Sequence, residues 1–144
     1  MERKLAISAL VLGLLVAALL AQKGANFLPN LGFFWLSQII ALSLCLPFRP
    51  RPAVIAGAAF ALATYLAGFA LWVATHPNSA GPVWFGYLFS LPGAAVGAIA
   101  AALLLRDRFR YGVAIAILST AGLALLGLLL NQTMICMTVM YCLR

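Results

Sequence analysis

From Ala53 to Ala74 the chain runs without one charged side chain. Coiled as an α-helix, those residues reach about 33 Å at 1.5 Å each, enough to cross the hydrocarbon core of a bilayer with little tilt. That run narrows the choice of fold sharply. Lipid offers no water to the backbone, so a spanning segment has to close its N–H and C=O groups within itself, and a helix does so.

Four further runs have the same character: Leu5 to Ala21, Leu31 to Phe48, Tyr87 to Leu105 and Tyr111 to Leu130. Apolar residues make up 66% of the chain, charged residues 8%, and the mean hydropathy is +1.13. An ordinary soluble domain carries about a quarter of its residues charged. The expectation is therefore an all-α, polytopic integral membrane bundle forming a single transmembrane domain over 1–144. Its five helices are placed at 5–21, 31–48, 53–74, 87–105 and 111–130, with a tail at 131–144. The first run, preceded by Glu2-Arg3-Lys4, also resembles a signal peptide, and cleavage would leave four helices. Its length and the poor match of "AALLAQ" to a small-residue cleavage site favour a retained helix.

The breaks between runs have physical causes. In "RPRP", Arg49 to Pro52, two prolines lack amide donors and push the residues before them out of helical geometry, which predicts a tight turn. "THPNSAGP", Thr75 to Pro82, is the longest polar loop. "LLLRDRFRYG", Leu103 to Gly112, gathers Arg106, Asp107, Arg108 and Arg110. Burying such charges at mid-bilayer costs about 2.5 to 3.5 kcal/mol each on insertion scales, so the chain has to surface there.

Nine Lys and Arg against Glu2 and Asp107 give a formal net charge of +7. Alternating the loops places Arg3, Lys4, Arg49, Arg51, Arg106, Arg108 and Arg110 on one side and only Lys23 and Arg144 on the other. The positive-inside rule makes the first side cytoplasmic, with the N-terminus inside and the C-terminus outside. The Arg-rich, Ala/Leu-rich composition points to a bacterial inner membrane. Nucleic acid is not an expected partner, because the cations form short clusters between apolar runs rather than one water-exposed face. Topology accounts for the arginines; the functional alternative is that Arg49, Arg51, Arg106, Arg108 and Arg110 contact anionic lipid headgroups through their forked donors.

Aromatic residues gather near the opposite ends of the spans. Trp35, Trp72, Trp84 and Tyr87 are read as an outer interfacial belt, an amphipathic ring being suited to headgroup level. Lipid tails are as apolar as Leu, so helices in a bilayer associate where small residues let backbones approach. Gly93, Gly97 and Ala101 form one such row, Gly57 and Ala61 a second, Gly13 and Ala17 a third. Pro92 should bend the fourth span or mark where its regular part starts. Gln38, Thr64, Tyr65, Ser90, Ser119 and Thr120 can bond a neighbouring helix or their own backbone.

No pair of carboxylates and no Ser/His/Asp set falls at membrane depth: Glu2 is terminal, Asp107 sits among arginines, and His76 lies in a loop. No enzyme activity and no cofactor is expected. In the tail "NQTMICMTVMYCLR", Met134, Met137 and Met140 share one helical face near Cys136 and Cys142, soft ligands that could suit Cu(I). The plainer reading is an apolar extension of the last helix. Cys136 and Cys142 lie too far apart to pair on one continuous helix, so a disulfide between them would require a bend.

Small-residue faces without catalytic groups predict a small non-enzymatic membrane protein acting through helix association. An accessory or assembly subunit, or a toxin-immunity type of protein, fits that description, partnered by another membrane protein or by copies of itself. The alternative is a small oligomeric transporter, channel or lipid-handling protein.

Overall fold

A computed structural model describes residues 1–21, 25–75, 83–106 and 112–140. Five helices follow in chain order: α1 (Glu2–Leu20), α2 (Phe27–Ser43), α3 (Pro52–Thr75), α4 (Val83–Leu104) and α5 (Val113–Ile135). A 3₁₀ turn at Leu46–Phe48 leads out of α2, and a π-helical turn, Cys136–Met140, continues α5. All five segments are long and apolar enough to cross a membrane. The chain is an all-α helical bundle of the integral membrane type.

The helix boundaries follow from local chemistry. Pro52 opens α3, where a missing amide costs nothing, and the Arg51 carbonyl accepts from Val54 N–H at 2.9 Å and Ile55 N–H at 3.3 Å. Before it, Arg49 adopts φ 50° and ψ 56°, the left-handed conformation that ends the 3₁₀ turn, with its N–H donated to the Leu46 carbonyl. The "RPRP" stretch is thus a turn whose first arginine occupies a backbone region that favours glycine.

Several spans start or end outside the bounds the hydropathy suggests, and α2 also stops earlier, at Ser43. α1 takes in Glu2, Arg3 and Lys4 as its first turn, and α2 begins at Phe27 because Pro29 fits within a first helical turn. α4 begins at Val83, one turn before Tyr87. α5 runs past Leu130 to Ile135, and polar side chains there bond back along the helix: Thr133 Oγ1 donates to the Leu130 carbonyl, and Thr138 Oγ1 to that of Met134.

The arrangement of sizes is inverted relative to a soluble protein. Large apolar side chains point outward, among them Leu19 at 85%, Leu28 at 74% and Leu118 at 71% exposure. Alanine dominates the buried positions, with Ala17, Ala53, Ala61, Ala101, Ala116 and Ala124 fully enclosed. Water would penalise such an exterior, whereas lipid solvates it; the interior then coheres by close van der Waals contact. α3 is the hub, touching all four other helices. α4 and α5 form the most extensive pair, α1 rests chiefly on α3, and α2 spreads its contacts over α1, α3 and α4.

Candidate functional site

The small-residue rows lie at the helix seams. A Cβ on Gly93 would run into the Gly127 carbonyl, and one on Gly127 into the carbonyl of Gly93, so the two backbones touch. Four residues along α4, Gly97 meets the Leu123 carbonyl and Ala124 Cα, and one turn further Ala101 packs with Ala53, Val54 and Ala116. Numbers rise on α4 as they fall on α5, so this seam is antiparallel. On α3, Gly57 faces the Ile117 carbonyl and Thr120 Cβ, while Ala61 packs with Ala121 and Ala124, a parallel seam. Ala17 is enclosed in the main core. A Cβ on Gly13 would sit 3.1 Å from Gln38 Oε1. All seven residues read from sequence as packing positions therefore serve contacts within the chain. Gly127, the counterpart of Gly93, escaped the sequence reading because it has no small neighbour four residues away.

Other small residues face outward. No atom lies within 4 Å of where a Cβ on Gly68 or Gly122 would stand. On α3 the exposed positions Phe60, Thr64, Ala67, Gly68 and Leu71 recur at helical spacing and form one continuous strip. On α5, Ile115, Leu118, Ser119, Gly122 and Leu126 form another.

Polar side chains inside the bundle mostly bond their own helix. Ser90 Oγ donates to the Tyr87 carbonyl at 2.6 Å, and Thr120 Oγ1 to that of Ala116 at 2.7 Å. Other contacts cross between α-helices. Gln38 Nε2 on α2 donates to the Tyr87 hydroxyl on α4 at 3.1 Å, and Asn131 Nδ2 on α5 donates to the Phe89 carbonyl on α4. The second lies beside the irregularity set by Pro92, whose missing N–H would otherwise serve the carbonyl of Leu88.

Tyr87 is fully buried, which removes it from the interfacial belt. Starting α4 at Val83 sets Tyr87 one turn deep, on the face that meets Gln38. Around it the rings interlock: Tyr65 stacks on Tyr87 at 6.1 Å, Phe34 lies 4.8 Å from Trp84, and Phe69 lies 5.5 Å from Trp84 and 6.0 Å from Tyr87. Trp35 and Trp84 are half-buried, and Trp72, at 47% exposure, retains the exposure of an interfacial anchor. The Tyr65 hydroxyl is buried with no hydrogen-bond partner among the described residues.

At the opposite end, Arg51 NH2 meets Glu2 Oε1 at 2.8 Å, with both side chains 9% exposed. Arg51 is thereby engaged by a carboxylate rather than turned to the surface, which corrects its place among headgroup contacts. Forty-nine residues separate the two, and neither had a visible partner in the sequence. Arg3, Lys4, Arg49 and Arg106 are exposed at the same end. Arg108 and Arg110 lie outside the described residues.

In the tail, Met134 and Met137 point outward at 65% and 66% exposure. Cys136 is disulfide-bonded, so it offers no thiolate to a metal. The Met140 side chain and Cys142 lie outside the described residues. Among the described residues, no three His, Cys, Asp or Glu side chains converge. No protein-family model, curated protein or solved structure matches this chain.

Proposed function

We propose that this chain is a small, non-enzymatic integral membrane protein that works through helix association, as an accessory or assembly subunit or a toxin-immunity type of protein. The observation that carries the reading is the strip Phe60, Thr64, Ala67, Gly68 and Leu71 on α3. α3 already contacts every other helix, yet it keeps one face with small residues and an open space at Gly68. A partner helix could approach the backbone closely there, and Thr64 could supply a hydrogen bond. The internal seams use Gly57, Gly93 and Gly97, so association relies on this separate face.

The proposed location is a bacterial inner membrane, with the N-terminus cytoplasmic and the C-terminus outside. Arg3, Lys4, Arg49, Arg51 and Arg106 share one end of the bundle, as a cytoplasmic face requires. The disulfide at Cys136 stands at the other end, where an oxidising compartment would maintain it.

A photo-crosslinking residue at Gly68 tests the association. A discrete protein adduct is expected, and the same probe at Leu19, which is 85% exposed on α1, should yield none. A strictly monomeric species after gentle extraction, with no adduct at Gly68, would end the reading.

A further inference from the structure

The Glu2–Arg51 ion pair joins the start of α1 to the turn that opens α3. Leu105 packs with Ala53 and Val54, so the end of α4 reaches the same place. Three sequence-remote segments thus bring Arg3, Lys4, Arg49 and Arg106 to one end of the bundle. Glu2 is the only carboxylate side chain among the described residues, and it faces Arg51; Asp107 lies outside them. The four remaining cations are exposed and have no ion pair among the described residues. Below them, Leu46, Phe48 and Leu104 present an apolar collar at 55%, 42% and 66% exposure. Cations above such a collar stand at headgroup depth.

Arg49 gives this end its specificity. Its φ of 50° strains any residue with a Cβ, and the turn asks of position 49 only the backbone bond to Leu46. Glycine would satisfy the turn at less cost. Membrane orientation needs no arginine at that position either, since a cation elsewhere in the loop would count equally. Pro50 and Pro52 stiffen the chain on both sides of Arg51, so the exposed Arg49 is carried on a restrained backbone two residues from the arginine that meets Glu2 of α1. A planar fork of donors fits two oxygens of one phosphate, and neighbouring lysine and arginine add long-range attraction.

We propose that Arg49, with Arg3, Lys4 and Arg106, binds the phosphate-bearing headgroup of an anionic phospholipid. The site is independent of the association face on α3, so loss of lipid binding leaves the Gly68 crosslink intact, and loss of the crosslink leaves lipid binding intact.

Native mass spectrometry of the full chain, with phosphatidylglycerol or phosphatidylcholine of matched chain length, reads the site. Adducts of the anionic lipid should dominate in the unaltered protein and weaken about fivefold for each cation removed. Arg49→Gly is the decisive variant: its thermal unfolding should be unchanged or shifted upward, because strain is relieved, while the anionic adducts fall. Arg3→Gln with Lys4→Gln gives the same lipid readout should Arg49→Gly fail to fold. Lys23→Gln, in the sequence between α1 and α2, should leave the adducts unchanged. Equal retention of both lipids, undiminished adducts in Arg49→Gly, or displacement of the lipid by millimolar inorganic phosphate with no lipid preference would overturn the proposal.

Discussion

Gln38 and Tyr87 meet across α2 and α4 through one hydrogen bond, Nε2 to hydroxyl oxygen at 3.1 Å, with the amide side chain 3% exposed and the phenol fully enclosed. α2 has no extensive partner helix, so this bond and the packing of Phe34 on Trp84 and Tyr87 hold its outer half. Gly13 of α1 adds a third helix at the same level, where a Cβ would stand 3.1 Å from Gln38 Oε1 and the amide would have to shift to make room.

Replacing Gln38 by Leu, or Tyr87 by Phe, should each lower stability by about 1 kcal/mol, the usual scale of an interhelical bond in a membrane. Reversible unfolding in mixed micelles measures it. The double variant should lose less than the sum of the singles, which isolates the coupling between the two side chains. Additive losses would mean that the two residues act separately.

Gly93→Leu and Gly127→Leu should each force α4 away from α5, since the side chain meets a backbone carbonyl that has nowhere to move. Loss of the monodisperse folded species on size-exclusion chromatography is the expected result. Gly122→Leu, facing open space on the same helix as Gly127, should stay within about 0.5 kcal/mol of the unaltered protein.

Glu2→Gln and Arg51→Gln should each loosen α1. With both side chains 9% exposed, the loss is placed between that of an exposed pair and that of a buried one, about 1 to 3 kcal/mol. Exchanging the two charges, Glu2→Arg with Arg51→Glu, should recover part of it. Limited proteolysis near residue 22 reports release of α1; equal cleavage in all variants would show that the pair does not anchor this helix.

Single cysteines at Asn26 and Arg106, in a background lacking the native thiols, test the orientation. Asn26→Cys should react with an impermeant maleimide applied to intact cells, and Arg106→Cys only after the cells are opened. The reverse pattern would invert the assigned topology.

The helical class and the five spans are legible because they depend on runs of residues, and a run survives small errors at its ends. The ends themselves depend on single side chains. The first turn of α2 tolerates Pro29, and Thr133 and Thr138 satisfy their hydroxyls back along α5, so polar or breaker residues there do not mark the helix ends. Spacing four residues apart identifies Gly93, Gly97 and Gly57 as packing positions, but it cannot say whether the facing helix belongs to the same chain. Tyr87 misleads for a related reason. A tyrosine near a span end suits both headgroups and a buried partner, and only the rotation of α4 against Gln38 decides between them. The Glu2–Arg51 pair joins residues too distant in sequence for any local pattern to connect them.

The alanine lining at the centre of the bundle has a further consequence. The gap among Ala41, Ala58, Ala94, Ala98 and Ala124 is too narrow for a water molecule, so a much larger side chain there would have to push the helices apart. In a saturation mutagenesis screen, tolerance should then sort by bulk more than by polarity. Serine in place of these alanines should survive where leucine fails, while the outward leucines should accept nearly any greasy replacement. The wall that separates variants that pass from variants that fail would be one of volume.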